Sequence, residues 1–475
     1  QTTGVENVNV SNFQTNAGDD TTIDASLMSG VAKVALTSSS ANGDTLFTNL
    51  TNIVNAEMRN GSADLDVVYG TAVVSGSTDT QALTLANITA GTFVAAGMET
   101  IAITTELAKS TLAALTATAA TKLTVAGDQD LTITGALDFA GTGAIAGTVD
   151  ASSFTGKLNL NLATAEDTDV TGGTKDDTFS YGTTLTAVDK LNGGGGTDTI
   201  SVNQNTFTLA TYTEMQSIET IKQEATNNNA LTLTSAGSTA LGKVQLVENN
   251  TDTNNITASD LAAGVAVELI SDADAGNENM ATVTLGLNDA SGDSDSMTVT
   301  LKGTSGHAIL SNTIDTLSIG NVETVNLVSS HDGTTALLAT DDNTITSAVL
   351  TNATTLNMSG SDQLAVTVAT TTTLTTADAS TMTDDVSLTL DNVTADMTVK
   401  TGSGDDTISM AAKLNNADTI DGGANSLSTT VDTLSATVTG LTATTGALNV
   451  SNVERLNLTN GGTTVIDATN IAGAN

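Results

Sequence analysis

Apolar residues recur at every second position in short runs along this chain. Leu158-Asn-Leu-Asn-Leu162 and Ser387-Leu-Thr-Leu390 are typical. A period of two marks a strand with one buried and one polar face. The runs are broken by Gly, Asn, Asp and Ser, which supply the backbone angles and local hydrogen bonds that turns need. Helical spacing is scarce: Glu106–Leu115 and Thr211–Met215 would each form a turn or two. The pattern predicts an all-β chain of short strands.

The strands belong to recurring phrases. Apolar-Glu-x-apolar-x-apolar occurs as Val5-Glu-Asn-Val-Asn-Val10, Met98-Glu-Thr-Ile-Ala-Ile103, Val322-Glu-Thr-Val-Asn-Leu327 and Val453-Glu-Arg-Leu-Asn-Leu458, and shortened as Ile218-Glu-Thr-Ile221. An Asp-Thr-apolar unit precedes it at Asp198, Asp315 and Asp432. The glutamate is expected to cap a turn or to accept backbone N–H groups between coils. A third phrase, Asp-Ala-Ser/Thr, begins at Asp24, Asp150, Asp378 and Asp467. Asp150 and Asp378 stand 228 residues apart, and Asp177 and Asp406 stand 229 apart. A long internal repeat built from coils of about 20 residues is the signature of a solenoid, because one coil cannot bury its apolar face alone.

This reading divides the chain into a first β-solenoid segment over 1–150, a β-roll segment over 151–254, a solenoid segment over 311–375 and a second β-roll segment over 376–475. Between them, Val265–Ile270, Ala281–Leu287 and Met297–Leu301 look longer and are joined by acidic turns at 272–278 and 289–295. They predict an antiparallel β-meander over 255–310.

The formal net charge is −40, from 53 acidic and 13 basic residues. Phosphate recognition needs Lys and Arg, so nucleic acid is excluded as a partner, and an anionic membrane surface is disfavoured. Cys is absent, so no disulfide or thiolate metal site can form. Such a polyanion calls for counter-cations. Pro and Trp are also absent, yet 39% of residues are hydrophobic, which is a folded rather than a disordered composition. No apolar run is long enough for a transmembrane helix. The chain opens at Gln1 without a signal peptide and reads as a piece of a longer polypeptide.

The candidate chemistry lies in glycine turns. Gly193, Gly194, Gly196, Asp198 and Ile200 fit Gly-Gly-x-Gly-x-Asp-x-apolar. Glycine permits φ > 0 and turns carbonyls inward, and the aspartate adds a carboxylate, a set suited to a hard cation. Partial copies sit at Gly172-Gly173-Thr-Lys175-Asp-Asp177-Thr-Phe179 and Thr401-Gly-Ser-Gly404-Asp-Asp406-Thr-Ile408. Asp177 to Asp189 and Asp406 to Asp418 are both twelve residues, and Gly422-Gly423 repeats Gly193-Gly194. These motifs resemble those of RTX proteins, in particular the calcium-binding surface-layer proteins and adhesins that bacteria export by type I secretion. The resemblance is closest over 171–202 and 401–434. The sequence departs from the pattern at Lys175, at Thr401 and between Ala424 and Asp432.

The resemblance implies a right-handed parallel β-helix or β-roll binding Ca2+ through Gly173, Asp177, Asp189, Gly194, Gly196 and Asp198, and again through Gly404, Asp406, Asp418, Gly423 and Asp432. It implies a secreted, cell-surface protomer that partners itself in a lattice or filament, with cell-surface polysaccharide reached through a part outside this chain; the alternative is the stalk of a calcium-dependent adhesin. Half-motifs at Gly18–Thr21 and Asn42–Leu46 read as plain turns. An enzyme is disfavoured: His307, His331, Arg59 and Arg455 sit in unrelated contexts, and no catalytic set is discernible.

Overall fold

The computed structural model describes the chain except residues 1, 17, 19, 165, 212, 226–229, 233–239, 249–253, 272–278, 290, 304–311, 332–342, 370, 372, 425–430, 439–447, 462–470 and 473–475. The chain forms two compact units. The first comprises Gln1–Asn203, Thr211–Ile221 and Gly237–Leu241; the second comprises Gln204–Ala210, Lys222–Ala236 and Gly242–Asn475.

In the first unit a ten-stranded parallel sheet starts at Asn7–Val10, continues through Lys33–Thr37 and Asn55–Gly61, and ends at Lys190–Asn192 and Met215–Gln216. A second face is built by Thr21–Asp24, Thr45–Leu50, Leu65–Tyr69, Thr92–Ala95 and Ala114–Thr116. Further along the chain another face replaces it, made of Ser110–Leu112, Leu131–Ile133, Leu158–Asn161, Thr178–Gly182 and Thr199–Val202. Each coil gives one strand to each face, and the next coil stacks on it in parallel register.

The second unit repeats this plan. One face has eleven parallel strands, from Thr206–Thr208 to Arg455–Asn460. The other runs from Lys243–Glu248 through Ser296–Gly303 and Thr376–Met382 to Ile471–Ala472. The fold is therefore an all-β parallel solenoid.

The register stacks like on like. Leu160, Phe179 and Ile200 align in the first unit, and Leu388, Ile408 and Leu434 align in the second. All six are at most 2% exposed. Burying one such side chain contributes about 1.5–3 kcal/mol, so a column of them holds neighbouring coils together.

Two sequence expectations fail. The strands of 255–310 are not an antiparallel meander. Ala266–Ser271 pairs in parallel with Lys243–Glu248 and Ser296–Gly303, and Asn279–Leu287 pairs in parallel with Asn254–Leu261 and Thr313–Ile319. Consecutive strands lie on different faces and each bonds to a strand one coil away; the alternation of side chains is the same either way. The expected helical turns are also absent. Glu106 ends the strand Thr100–Glu106, Leu107 takes a left-handed φ of 64°, and Ser110–Leu112 and Ala114–Thr116 are strands. Near Thr211 the described residues form a short 3-10 turn, Leu209–Thr211, and then the strand Met215–Gln216.

Candidate metal centre

The glycine turns fall at the corners between faces, where neighbouring coils come closest. Gly194 has φ +100°, and a Cβ there would collide with the carbonyl of Gly173 one coil earlier. A Cβ on Gly423, at φ +91°, would meet the carbonyl of Gly402 in the same way. Only a residue with no side chain fits either place.

The motif aspartates turn inward at these corners and accept backbone N–H groups. In the first unit, Leu158 N donates to Asp177 Oδ1 at 2.8 Å, Asp177 N to Asp198 Oδ1 at 2.8 Å, and Asp198 N to Glu219 Oε2 at 2.7 Å. In the second, Val386 N donates to Asp406 Oδ1 at 2.7 Å, Asp406 N to Asp432 Oδ1 at 2.9 Å, and Asp432 N to Glu454 Oε2 at 2.9 Å. Each carboxylate thus staples its own coil to the one before. A parallel pair lies at another corner. Asp189 takes Thr168 N and Thr186 N at 2.7 and 2.8 Å, and Asp418 takes Met397 N and Asn415 N, both at 2.7 Å. The structure therefore brings Asp177 and Asp198 together, and Asp406 and Asp432, while Asp189 and Asp418 stand apart from them.

The adjacent aspartates point the opposite way. Asp176 accepts Thr197 N at 3.0 Å and Asp405 accepts Val431 N at 2.8 Å, in each case from the following coil. An Asp-Asp pair therefore ties three successive coils. Sequence reasoning did not assign this role to the first aspartate.

The glutamate phrase behaves as expected. Glu99, Glu219, Glu323 and Glu454 accept the N–H groups of Asp79, Asp198, Asp295 and Asp432 at 2.7–2.9 Å. Glu323 holds Asp295 and not the nearer Asp315, which lies within the strand Thr313–Ile319. The missed signal is the Gly-x-x-Asp spacing shared by Gly76-Asp79, Gly195-Asp198 and Gly292-Asp295.

Burial sets the electrostatics. Asp177, Asp198, Asp406, Asp418 and Asp432 are at most 2% exposed. Loss of water pushes the Asp177, Asp198 and Asp406 carboxyls up to about 6, against the stabilising N–H bonds. At Asp198 the charges of Asp177 and Glu219 push the same way; at Asp406 those of Asp432 and Asp385 do. Burial raises Asp189 and Asp418 too.

The donor set at the corners is oxygen alone, as a hard cation requires. Among the motif aspartates, Asp198 Oδ2 and Asp406 Oδ2 are buried with no hydrogen-bond partner, a feature they share with Asp79 Oδ2 and Asp295 Oδ2 on two other glutamate-held coils. A buried acceptor left unmade costs about 1–3 kcal/mol, more when charged. Asp198 Oδ2 and the Ser217 carbonyl both press on Gly193, where a Cβ would stand 2.5 Å from that Oδ2. Among the described residues no three acidic or imidazole side chains converge on one metal position. A cation beside Asp198 or Asp406 would therefore draw on backbone carbonyls as well.

The weaker candidates are ordinary staples or lie elsewhere. Asp44 of the second half-motif accepts Asp64 N at 2.8 Å, and Asp64 accepts Thr92 N at 2.6 Å. His331 Nδ1 lies 2.8 Å from Asp362 Oδ1. His307 and the acidic turn at 272–278 lie outside the described residues. Among the described residues no helix is long and apolar enough to cross a membrane. No protein-family model matches this chain, and no curated protein matches it.

Proposed function

We propose that this chain is a structural protomer of a calcium-dependent bacterial surface layer, exported to the cell surface and assembled with copies of itself. The observation that carries this reading is a buried oxygen without a hydrogen-bond partner at each glycine corner, on Asp198 in the first unit and on Asp406, the counterpart of Asp177, in the second, in a chain with net charge −40. Asp198 and Asp406 would hold the ion, with carbonyls of the glycine turns around them; Asp177, Asp189, Asp418 and Asp432 align the coils through their backbone bonds. Bound calcium supplies the positive charge that those oxygens lack.

The role is mechanical, not catalytic. Without the ion, buried and surface carboxylates repel and the coils are held weakly. With it, binding free energy becomes folding free energy. Extracellular calcium modules bind with Kd on the order of 10⁻⁴–10⁻³ M. An acidic chain would stay loose where calcium is scarce and stiffen where it is abundant.

Electron microscopy of the purified protein tests this. Sheets or filaments in calcium that disperse on chelation support it. Monodisperse particles in both conditions overturn it.

A further inference from the structure

The sheet faces of this solenoid differ in what they turn to solvent. On the ten-stranded sheet of the first unit, Lys33, Glu57, Arg59 and Glu106 are linked in ion pairs, and Lys122 pairs with Asp150 across neighbouring strands. On the face of the second unit that starts at Lys243–Glu248, Lys243 pairs with Glu268, and Asp378, Lys400 and Asp421 stand in register on three successive coils. Both of these faces carry charge.

The eleven-stranded sheet of the second unit differs. From Asn254–Leu261 to Thr433–Val438 it runs through eight neighbouring strands whose sequences contain no Lys, Arg, His or Glu. Their acids are Asp260, in a bulge at φ 59°, and Asp315. The outward columns are hydroxyls. Ser387, Thr407 and Thr433 stack one per coil, and Thr389, Ser409 and Ser435 stack beside them. The alternate residues Leu388, Ile408 and Leu434 fill the core, so the hydroxyl columns face away from it.

Two copies of a chain with net charge −40 repel, and the repulsion is least where the meeting surfaces carry no charge. A charge pressed into a contact must also lose its water, and interface cores are accordingly poor in charged residues. Thr brings a methyl group to bury and a hydroxyl that both donates and accepts. Eight strands at about 4.8 Å, with outward side chains over a width of about 15 Å, present about 600 Å². Two such faces bury about 1,200 Å² together, the low end for a specific interface. At one rim stand Asp384, Asp385 and Asp405, so the contact needs cations to screen that rim.

We propose that this uncharged face of the second unit is where a second copy of the chain docks, sheet against sheet. Charge selects the occupant. A basic partner gains nothing from hydroxyl columns, whereas a second copy meets the same uncharged columns here and its own carboxylates elsewhere. The contact lays the Thr and Ser columns of both copies together at a sheet spacing of about 10 Å. The inference deepens the surface-layer reading and rests on the self-association in it.

The test is assembly of the full chain in millimolar calcium, followed by light scattering against protein concentration, for wild type, Thr367→Glu and Thr367→Arg. Thr367 lies on this face beside Thr389 of the next coil. The two substitutions shift net charge in opposite directions, and both place a charge within the face. Thr104→Glu puts the same charge on the exposed side of the first unit's ten-stranded sheet. Thermal melts check that each variant folds, and Ser435→Arg repeats the test on the same face should a Thr367 variant misfold. The face variants are expected to need at least ten-fold more protein to assemble, while Thr104→Glu assembles as wild type does. Assembly at the wild-type concentration in the face variants overturns this inference, and so does a Glu variant that weakens assembly beside an Arg variant that strengthens it, since net charge then governs. Unchanged assembly with loss of binding to soluble dextran gives the face to a neutral polysaccharide and overturns it equally. Each of these results leaves the surface-layer reading standing. A wild type that stays monodisperse in calcium overturns that reading, and this inference with it.

Discussion

Replacing Asp198 with asparagine should have opposite effects with and without calcium. In the fold Asp198 Oδ1 accepts Asp177 N at 2.8 Å, while Oδ2 is buried with no donor. Its carboxyl is pushed from the ordinary 3.8 to about 6, so near pH 7 it is ionised at a cost. The unscreened cost is about 3 kcal/mol at 1.36 kcal/mol per pKa unit, and after discounting for solvent screening it is about 1 kcal/mol. Asparagine keeps the Oδ1 acceptor and removes the charge. In chelator, Asp198→Asn should therefore melt above wild type, by about 2–4 °C for a unit of this size. In calcium the order should reverse. About 5 mM calcium at a site with Kd of 10⁻⁴–10⁻³ M adds about 1–2 kcal/mol to wild type, and the variant should lose that gain at this site. Thermal melts followed by far-ultraviolet circular dichroism, at about pH 7 in both conditions, measure each shift. A variant that melts lower in chelator and keeps the full calcium increment would refute the assignment of an ion to Asp198.

Stability without calcium should depend on pH with a definite sign. Asp177, Asp198 and Asp406 hold protons more tightly in the fold than at 3.8, so the stability this contributes is fully present below about pH 4 and lost as pH rises through about 6. Chelator melts across that window should fall with rising pH, and calcium should flatten the fall. Glu219→Ala removes the acceptor of Asp198 N and should cost about 1 kcal/mol with faster hydrogen exchange at that amide, whereas Glu219→Gln, which keeps the acceptor, should exchange near the wild-type rate. Gly194→Ala forces a Cβ toward the Gly173 carbonyl at φ +100° and should cost more than about 2 kcal/mol, seen as a lowered melting midpoint with and without calcium.

Much of the architecture was legible because the solenoid repeats its chemistry in every coil. Alternation at Leu158–Leu162 and Ser387–Leu390 predicts strands, and the 228–229-residue repeat predicts two similar corners, which the structure places at Asp177/Asp198 and Asp406/Asp432. The glutamate role was legible too, because a carboxylate at a fixed place before a strand has few N–H groups within reach. Strand direction was not. Residues 265–301 alternate as an antiparallel hairpin would, and only the stacking of coils decides which strand each one meets. The pairing of Glu323 with Asp295 was hidden for a related reason: 28 residues separate them, against 20–22 in the other three pairs, and Asp315 stands closer along the chain. The opposite directions of Asp405 and Asp406 follow from backbone placement at the corner, which no periodicity reports. The large rise of the buried carboxyls depends on how completely the coils exclude water.

The most direct test is the density of the protein determined in millimolar calcium, with anomalous data to identify the ion. Calcium peaks should lie about 2.3–2.6 Å from Asp198 Oδ2 and Asp406 Oδ2, and chelation should lower the melting midpoint. No peak at either oxygen, together with a midpoint indifferent to chelation, would contradict a calcium-held solenoid.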